Sequence, residues 1–479
     1  MLPLVLLVIG VPCALWSVFA LLTTGGSEAV EFSVTAGTFV LLAVGYLNVH
    51  GLKRMAWITV PVLLTIQSVL TFVVIPVWQF SSGADRLDSV YVHSMVLVLI
   101  GFTAFWIGGL AVRRDVELQF VPSNRDTPER LEFISAAMLV LGLGANVFLW
   151  RTGLYSYAAD PLLRAANQGI MLWVETIANL TTSALVVSAI ELFGKQSGKL
   201  FIRVVFWLSL ASLMLLGAIT GMKSATLIPM LYVVIVYGIT RGRVPRAAVL
   251  VPVFLVVVIY PFVGAYRDNL NSGYRAQMNT VGGLEAVVVK SFDDAFLTFG
   301  SRNAGAENGN LNQAKARLNY LSDVRDVIGL PDPSLLKGDE TIWMAPIYPL
   351  VPRLLWKNKP VMDKGVRLAH ALGSSSGTSD ALTPIGDLYS MYGTFGVVMG
   401  MLVYGLGFQL FTNWAGGRLS EMGLFIYASM LLSLLDFEGD FVVTIAGFIH
   451  TVIVVALTAV LIYGQFTHRT PARKARVGS

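Results

Sequence analysis

The stretch VYVHSMVLVLIGFTAFWIGGLAV, residues 90–112, runs without a single Asp, Glu, Lys or Arg and is closed by Arg113 and Arg114. A helix rising about 1.5 Å per residue crosses the roughly 30 Å hydrocarbon core of a bilayer in about 20 residues. The stretch therefore reads as a membrane span with cations at one exit.

Runs of this kind recur along the chain. Twelve are read, at roughly 2–22, 30–50, 56–79, 90–112, 132–150, 169–193, 201–221, 225–240, 247–265, 384–412, 422–437 and 441–463. The first lacks a basic leading segment and a small-residue cleavage site, so it is expected to be a retained helix rather than a signal peptide. Of the 479 residues, 55% are apolar and only 13% charged, with a mean hydropathy of +0.69. Soluble domains carry about 25% charged residues. A soluble enzyme, a disordered chain and a coiled coil are thereby excluded, and the expected class is an all-α polytopic membrane protein. The one cysteine, Cys13, rules out an intramolecular disulfide and a cysteine-rich metal site.

The basic balance is read as topology rather than as nucleic-acid binding. Of 34 Lys and Arg, 17 fall on one side of the spans, among them Lys53, Arg54, Arg113, Arg114, Lys195, Lys199 and Arg241. Only Arg86, Arg151, Arg164 and Lys223 fall in short loops on the other side. By the positive-inside rule both termini are expected in the cytoplasm. The remaining 13 lie in one long loop, residues 266–383, which also holds 12 acidic residues. The chain thus divides into 1–265 with nine spans, an extracytoplasmic loop domain at 266–383, and 384–479 with three spans and a cytoplasmic tail. Within the loop, 284–299 and 311–328 read as helices by their apolar spacing. The segment 329–363 reads as irregular. So long a loop is expected to fold, here as a cap on the bundle.

Four clusters could carry chemistry, all near the outer ends of spans. Gly221-Met-Lys-Ser224 makes a sharp turn that holds Lys223 near the interface, where it either snorkels or faces a cavity. Tyr266-Arg267-Asp268 puts Arg267 at the junction of bundle and loop, to grip headgroups or to point a forked donor inward. Pro352-Arg353-Leu-Leu-Trp356-Lys357-Asn-Lys359-Pro360 packs three cations and a tryptophan between prolines. Such cations suit phosphate or pyrophosphate, and a solvated basic loop is the plain alternative. Finally, Thr378-Ser379 leads to Gly386-Asp387-Leu-Tyr389 and Tyr392-Gly393 at the start of a span. A carboxylate there faces a partner or a polar cavity. Asp387 either salt-bridges an arginine or orients and deprotonates a hydroxyl. Gly396 and Gly400 read as a close-packing face only. Glu175 is an isolated charge within a span, and Asp436, Glu438 and Asp440 could hold a divalent cation but read rather as a solvated acidic turn. No pair of histidines has metal-ligand spacing, and the sequence has no P-loop, nucleophile elbow or dinucleotide fingerprint.

Taken together, Leu318-Asn-Tyr-Leu321, Gly338-Asp-Glu-Thr341, Val351-Pro-Arg-Leu-Leu-Trp-Lys-Asn-Lys-Pro360, and Thr378-Ser through Gly386-Asp-Leu-Tyr-Ser-Met-Tyr-Gly-Thr-Phe-Gly396 resemble the bacterial Wzy-type polymerases of O-antigen and exopolysaccharide repeat units. The detailed likeness covers about the last third of the chain. It implies a class C glycosyltransferase-like fold in the bacterial inner membrane with the large loop in the periplasm. It also implies transfer of a growing glycan from undecaprenyl pyrophosphate to the next lipid-linked unit. The expected partners are the lipid-linked donor and acceptor, the bilayer and a chain-length regulator, with no nucleic acid. Arg267, Arg353 and Lys359 would meet charge developing on the pyrophosphate, with Lys223 secondary and Lys357 beside them. Asp387 would act on the acceptor hydroxyl, and Trp356 and Tyr389 would stack on sugars. No cofactor and no metal are expected.

Two rivals stand beside this reading. A lipid-linked oligosaccharide flippase fits twelve spans with both termini inside, though no two matching halves are evident. A ligase moving finished glycan to another acceptor shares nearly all the chemistry.

Overall fold

The computed structural model describes residues 27–49, 58–81, 86–114, 118–122, 128–154, 168–196, 198–221, 223–243, 262–267, 269–270, 280–300, 319–348, 350–351, 356, 358–360, 363–373, 380–415, 417–435, 437 and 439–463. Within them the chain is built almost wholly of helices: α1 (Ser27–Val49), α2 (Val60–Ser81), α3 (Ser89–Ala111), α4 (Pro128–Arg151), α5 (168–194), α6 (Leu200–Ile219), α7 (Lys223–Arg241), α8 (Val281–Gly300), α9 (Tyr320–Ile328), α10 (Lys364–Ala371), α11 (Thr383–Ala415), α12 (Glu421–Leu434) and α13 (Phe441–Tyr463). Eight of these, α1 to α6, α11 and α13, are long and apolar enough to cross a membrane, and α7 and α12 are shorter apolar helices. The architecture is that of a polytopic, membrane-embedded protein. Ten of the twelve expected spans thus have a helix in place; 2–22 and most of 247–265 lie outside the described residues.

Some of the helices begin where a polar side chain caps them. Asp88 accepts the Tyr91 amide at 2.8 Å at the head of α3, and Ser420 accepts the Gly423 amide at 3.2 Å at the head of α12. The tightest pair in the bundle is α3 with α11. A side chain at Gly405 would collide with the Phe105 carbonyl, and one at Gly108 with the Leu402 carbonyl, so the two backbones touch. Close approach of this kind is how helices associate where lipid removes the hydrophobic drive. The contacts advance together along both helices, from Gly101 against Val397 to Gly108 against Leu402, so α3 and α11 run parallel. The chain leaving each forms a short strand, β1 (Leu118–Phe120) and β2 (Gly417–Leu419), and these pair in parallel with Leu118 opposite Gly417. Both spans therefore exit at the same end of the bundle, as their even positions in the expected order require.

Helix α11 departs from the expected continuous span. Gly393 sits at φ 62°, ψ −155°, a conformation essentially closed to residues with a Cβ. The break divides α11 into a short arm, 383–392, and a long arm, 394–415. The arms fold back on each other. A Cβ on Gly396 would lie 2.6 Å from the Leu388 carbonyl, and Gly400 faces the Leu388 side chain. In a straight helix, residues twelve apart are about 18 Å apart. The Gly396/Gly400 face is a packing face, as read, and its partner is the element's own short arm.

The loop domain is folded where it is described. The helix expected at 284–299 is present as α8. The one expected at 311–328 begins only at Tyr320, because Asn319 leaves the helical region and caps α9 by accepting the Ser322 amide at 3.1 Å. Residues 311–318 lie outside the described set. Short 3₁₀ turns, Pro333–Leu336 and Ile342–Met344, and the helix α10 complete the cap.

Candidate functional site

The cap meets the bundle at the short arm of α11. This arm starts at Thr383, a fully buried β-branched residue with φ 55°, whose hydroxyl accepts the Gly386 amide at 3.3 Å. A left-handed conformation is uncommon for such a residue and is held here by its surroundings. One turn later Asp387 points into the protein with no exposed surface. Its Oδ1 accepts the Lys364 ammonium at 2.6 Å, and its Oδ2 accepts the Phe441 amide at 2.9 Å. Lys364, at the head of α10, is itself 1% exposed and also reaches the Met391 sulfur at 3.4 Å. One carboxylate thus joins three segments: the short arm, the cap helix and the first turn of α13.

Two further carboxylates and one guanidinium surround this pair. Asp440 caps α13, its Oδ1 accepting the Val443 amide at 2.7 Å. Burial pushes its carboxyl up to about 6, and the nearby Asp387 charge adds to the rise, while the Val443 amide and Lys364 partly offset it. Glu340, 3% exposed, is close enough to raise Asp440 a little further, and it is paired with Arg367 of α10. Arg367 also reaches Asp363 at 2.9 Å. Among the described residues no group of three or more His, Cys, Asp or Glu is arranged to hold a metal ion.

The expected residues fall into three groups. Asp387 is at the seam, but its partner is a lysine rather than an arginine, and both oxygens are engaged. Arg267 donates from Nε to the Gly221 carbonyl at 2.6 Å, so the Gly221–Ser224 turn and the Tyr266–Asp268 junction, 46 residues apart, are one structural unit. Lys223 opens α7 in that turn, its side chain outside the described set. Lys359 is committed to the backbone, donating to the Tyr348 and Val351 carbonyls at 2.6 and 3.2 Å. Trp356 packs on the Tyr348 ring, with centroids 5.9 Å apart, and Tyr389 packs against Val327, Leu330, Leu336, Leu368 and Leu382. In these positions both aromatics are part of the packing between cap and bundle. Arg353 and Lys357 lie outside the described residues, as do Asp436 and Glu438.

Lys364, Arg367 and Asp440 were not singled out as site residues by the sequence. Asp440 read as one of three solvated acids, yet it faces the seam. Asp363 and Arg367 have the one available signal, an acid and a base four apart on a helix. Nothing in the sequence separates Lys364 from the other cations of the loop.

The segments that carry the family resemblance converge here. Asn319, from the first, hydrogen-bonds Gln79 of α2 at the edge of the cap. Glu340, Lys359 and Asp387 come from the others. Residues 145–421 match a family described as a domain of unknown function, DUF8712. No curated protein and no solved structure match the chain.

Proposed function

The chain belongs to the DUF8712 family, and we propose that it is a membrane-embedded glycosyltransferase that polymerises lipid-pyrophosphate-linked oligosaccharide units. One observation carries the proposal: a buried cluster of two cations and several carboxylates at the seam between cap and spans. Asp387 and Glu340 of this cluster come from segments that resemble the Wzy-type polymerases, and Lys364, Arg367 and Asp440 join them from outside those segments. Charge this deep at the end of a bundle is expensive and marks a functional seam by default.

In the reaction a glycosidic bond forms between the acceptor hydroxyl oxygen and the anomeric carbon of the donor glycan. The bond from that carbon to the pyrophosphate oxygen breaks, and the lipid pyrophosphate leaves with the electron pair. The hydroxyl proton needs an acceptor. Asp387 is fully committed to Lys364 and Phe441, so its role in this scheme is to anchor the cap. Asp440, with a carboxyl near 6, is mostly ionised at neutral pH and suited to take the proton. Arg267 and Arg353 would meet the charge growing on the pyrophosphate, with Lys223 in the turn that Arg267 engages and Lys357 four residues after Arg353.

The broken α11 favours a second reading, a lipid-linked oligosaccharide transporter, because discontinuous helices often form transport sites. One experiment separates the two. The purified protein is incubated in vesicles with lipid-pyrophosphate repeat units and the products are resolved by size. A ladder supports the polymerase, and the rate of laddering should fall as pH drops below about 6. A single transfer to an unrelated acceptor would indicate a ligase. Movement of the lipid across the vesicle with no new glycosidic bond would sink the transferase and leave the transporter.

A further inference from the structure

The cap carries a second feature, independent of any reaction at the seam. The described residues between Thr341 and Val351 make successive turns, the Ile347 amide donating to Met344 at 2.8 Å and the Leu350 amide to Ile347 at 3.0 Å. On one side of these turns Ala345 and Tyr348 are fully buried against Val442, in the first turn of α13. On the other side, at spacings of four and three, Trp343, Ile347 and Leu350 are 82%, 39% and 55% exposed. The turns are held firmly. Tyr348 accepts the Thr341 amide at 2.9 Å through its hydroxyl, and Lys359 clamps the last carbonyls.

We propose that residues 341–351 lie in the headgroup layer of the membrane, with Trp343, Ile347 and Leu350 inserted among the acyl chains beside α13. The occupant follows from where the turns are docked. Their buried side rests on the first turn of a span, which fixes their depth at the bilayer surface. An apolar face pointing outward at that depth meets lipid, and tryptophan is favoured at that level. The same cluster includes Met391, and the next residues along that arm and beyond the break, Tyr392 and Phe395, are 50% and 73% exposed. Outward apolar surface thus occurs on both sides of the docked turns.

The test uses the full chain with Cys13→Ala and single cysteines at Trp343, Ile347, Leu350 and, as an exposed cap control, Lys337. Each is spin-labelled and reconstituted in phospholipid vesicles. Collisions with oxygen, which concentrates in lipid, are compared with collisions with a water-soluble nickel chelate. The proposal expects labels at 343, 347 and 350 to lose most chelate collisions and gain oxygen collisions relative to 337. Equal chelate access at all four positions would place this face in water and overturn it. Shielding from both reagents would mean that a protein covers the face, which overturns it equally. A second measurement needs no cysteine: brominated lipids should quench the wild-type protein more than Trp343→Phe. Equal quenching would count against insertion.

Discussion

Helix α12 runs between two ionic clusters. Beyond its C-terminal end, Lys364 meets Asp387 across 23 residues of sequence, with side chains 1% and 0% exposed. At its N-terminal end, Lys195 bridges Glu191 at 3.1 Å and Glu421 at 3.0 Å, with side chains 17%, 8% and 7% exposed, and Lys199 pairs nearby with Glu132 at 2.5 Å. The second cluster is partly local, since Glu191 and Lys195 are four apart, and its lysine keeps a path to water. The first is sealed, and one of its partners comes from outside the bundle. Pairs that reach water can relax when broken, whereas sealed pairs strand a charge. The Asp387 seam therefore fastens the cap, and the Glu191 cluster trims the ends of helices that would meet anyway.

The sharpest way to break this contrast is Lys364→Met. It leaves Asp387 buried with only the Phe441 amide, and breaking such a pair destabilises by about 3–5 kcal/mol. Thermal unfolding of the purified protein should show this loss, and Lys364→Met combined with Asp387→Leu should recover much of it. An unchanged melting temperature in Lys364→Met would mean that the seam does not fasten the cap.

Asp440 gives the next effect, and its sign is opposite to that of most carboxylates. Its folded value of about 6 lies above the ordinary 3.8, so the folded protein holds the proton more tightly than the unfolded chain. The stabilisation is fully present below about pH 4 and is lost as pH rises through about 6. It amounts to roughly 3 kcal/mol. Asp440→Asn keeps the cap to Val443 and removes the charge. It should melt higher than wild type above pH 6 and converge with it near pH 4. Superimposed curves across that range would show that burial at the seam does not raise the Asp440 carboxyl.

Gly393 tests whether the fold-back of α11 holds Asp387 in place. Gly393→Ala forces a Cβ into φ 62°, ψ −155°, at about 1–3 kcal/mol. The same variant should loosen the cap, seen as faster proteolysis within 364–373. If stability falls while the cap stays protected, the arm and the seam are separate devices.

How far these features could be read from sequence follows the same divide. The eight long apolar helices were legible because twenty apolar residues are a local signal, and the parallel exit of α3 and α11 agrees with their order. Asp387 was legible as a costly charge at a span end. Its partner was not, because Lys364 is one cation among 13 in a long loop and only the fold of the cap selects it. The break at Gly393 was hidden for a related reason: a glycine in an apolar run reads equally as packing or as a turn. The start of α9 at Tyr320 shows a capping side chain, Asn319, overriding an apolar period that runs through it in the sequence.

The smallest effect is expected at the other end of α12, and it bounds the comparison from below. Lys195→Met removes the bridge between Glu191 and Glu421, which then face each other. The two carboxylates are buried but the lysine between them reaches the surface, so water can follow where its ammonium is removed. A loss of about 1 kcal/mol is expected, within the range of partly exposed pairs. It should shrink in high salt, because charges with access to solvent are screened within about 10 Å at moderate ionic strength. The Lys364→Met loss should not shrink, since no ions reach the seam. If both variants lose equally and respond alike to salt, burial is not what separates the two clusters, and the seam is no tighter a fastening than the helix ends.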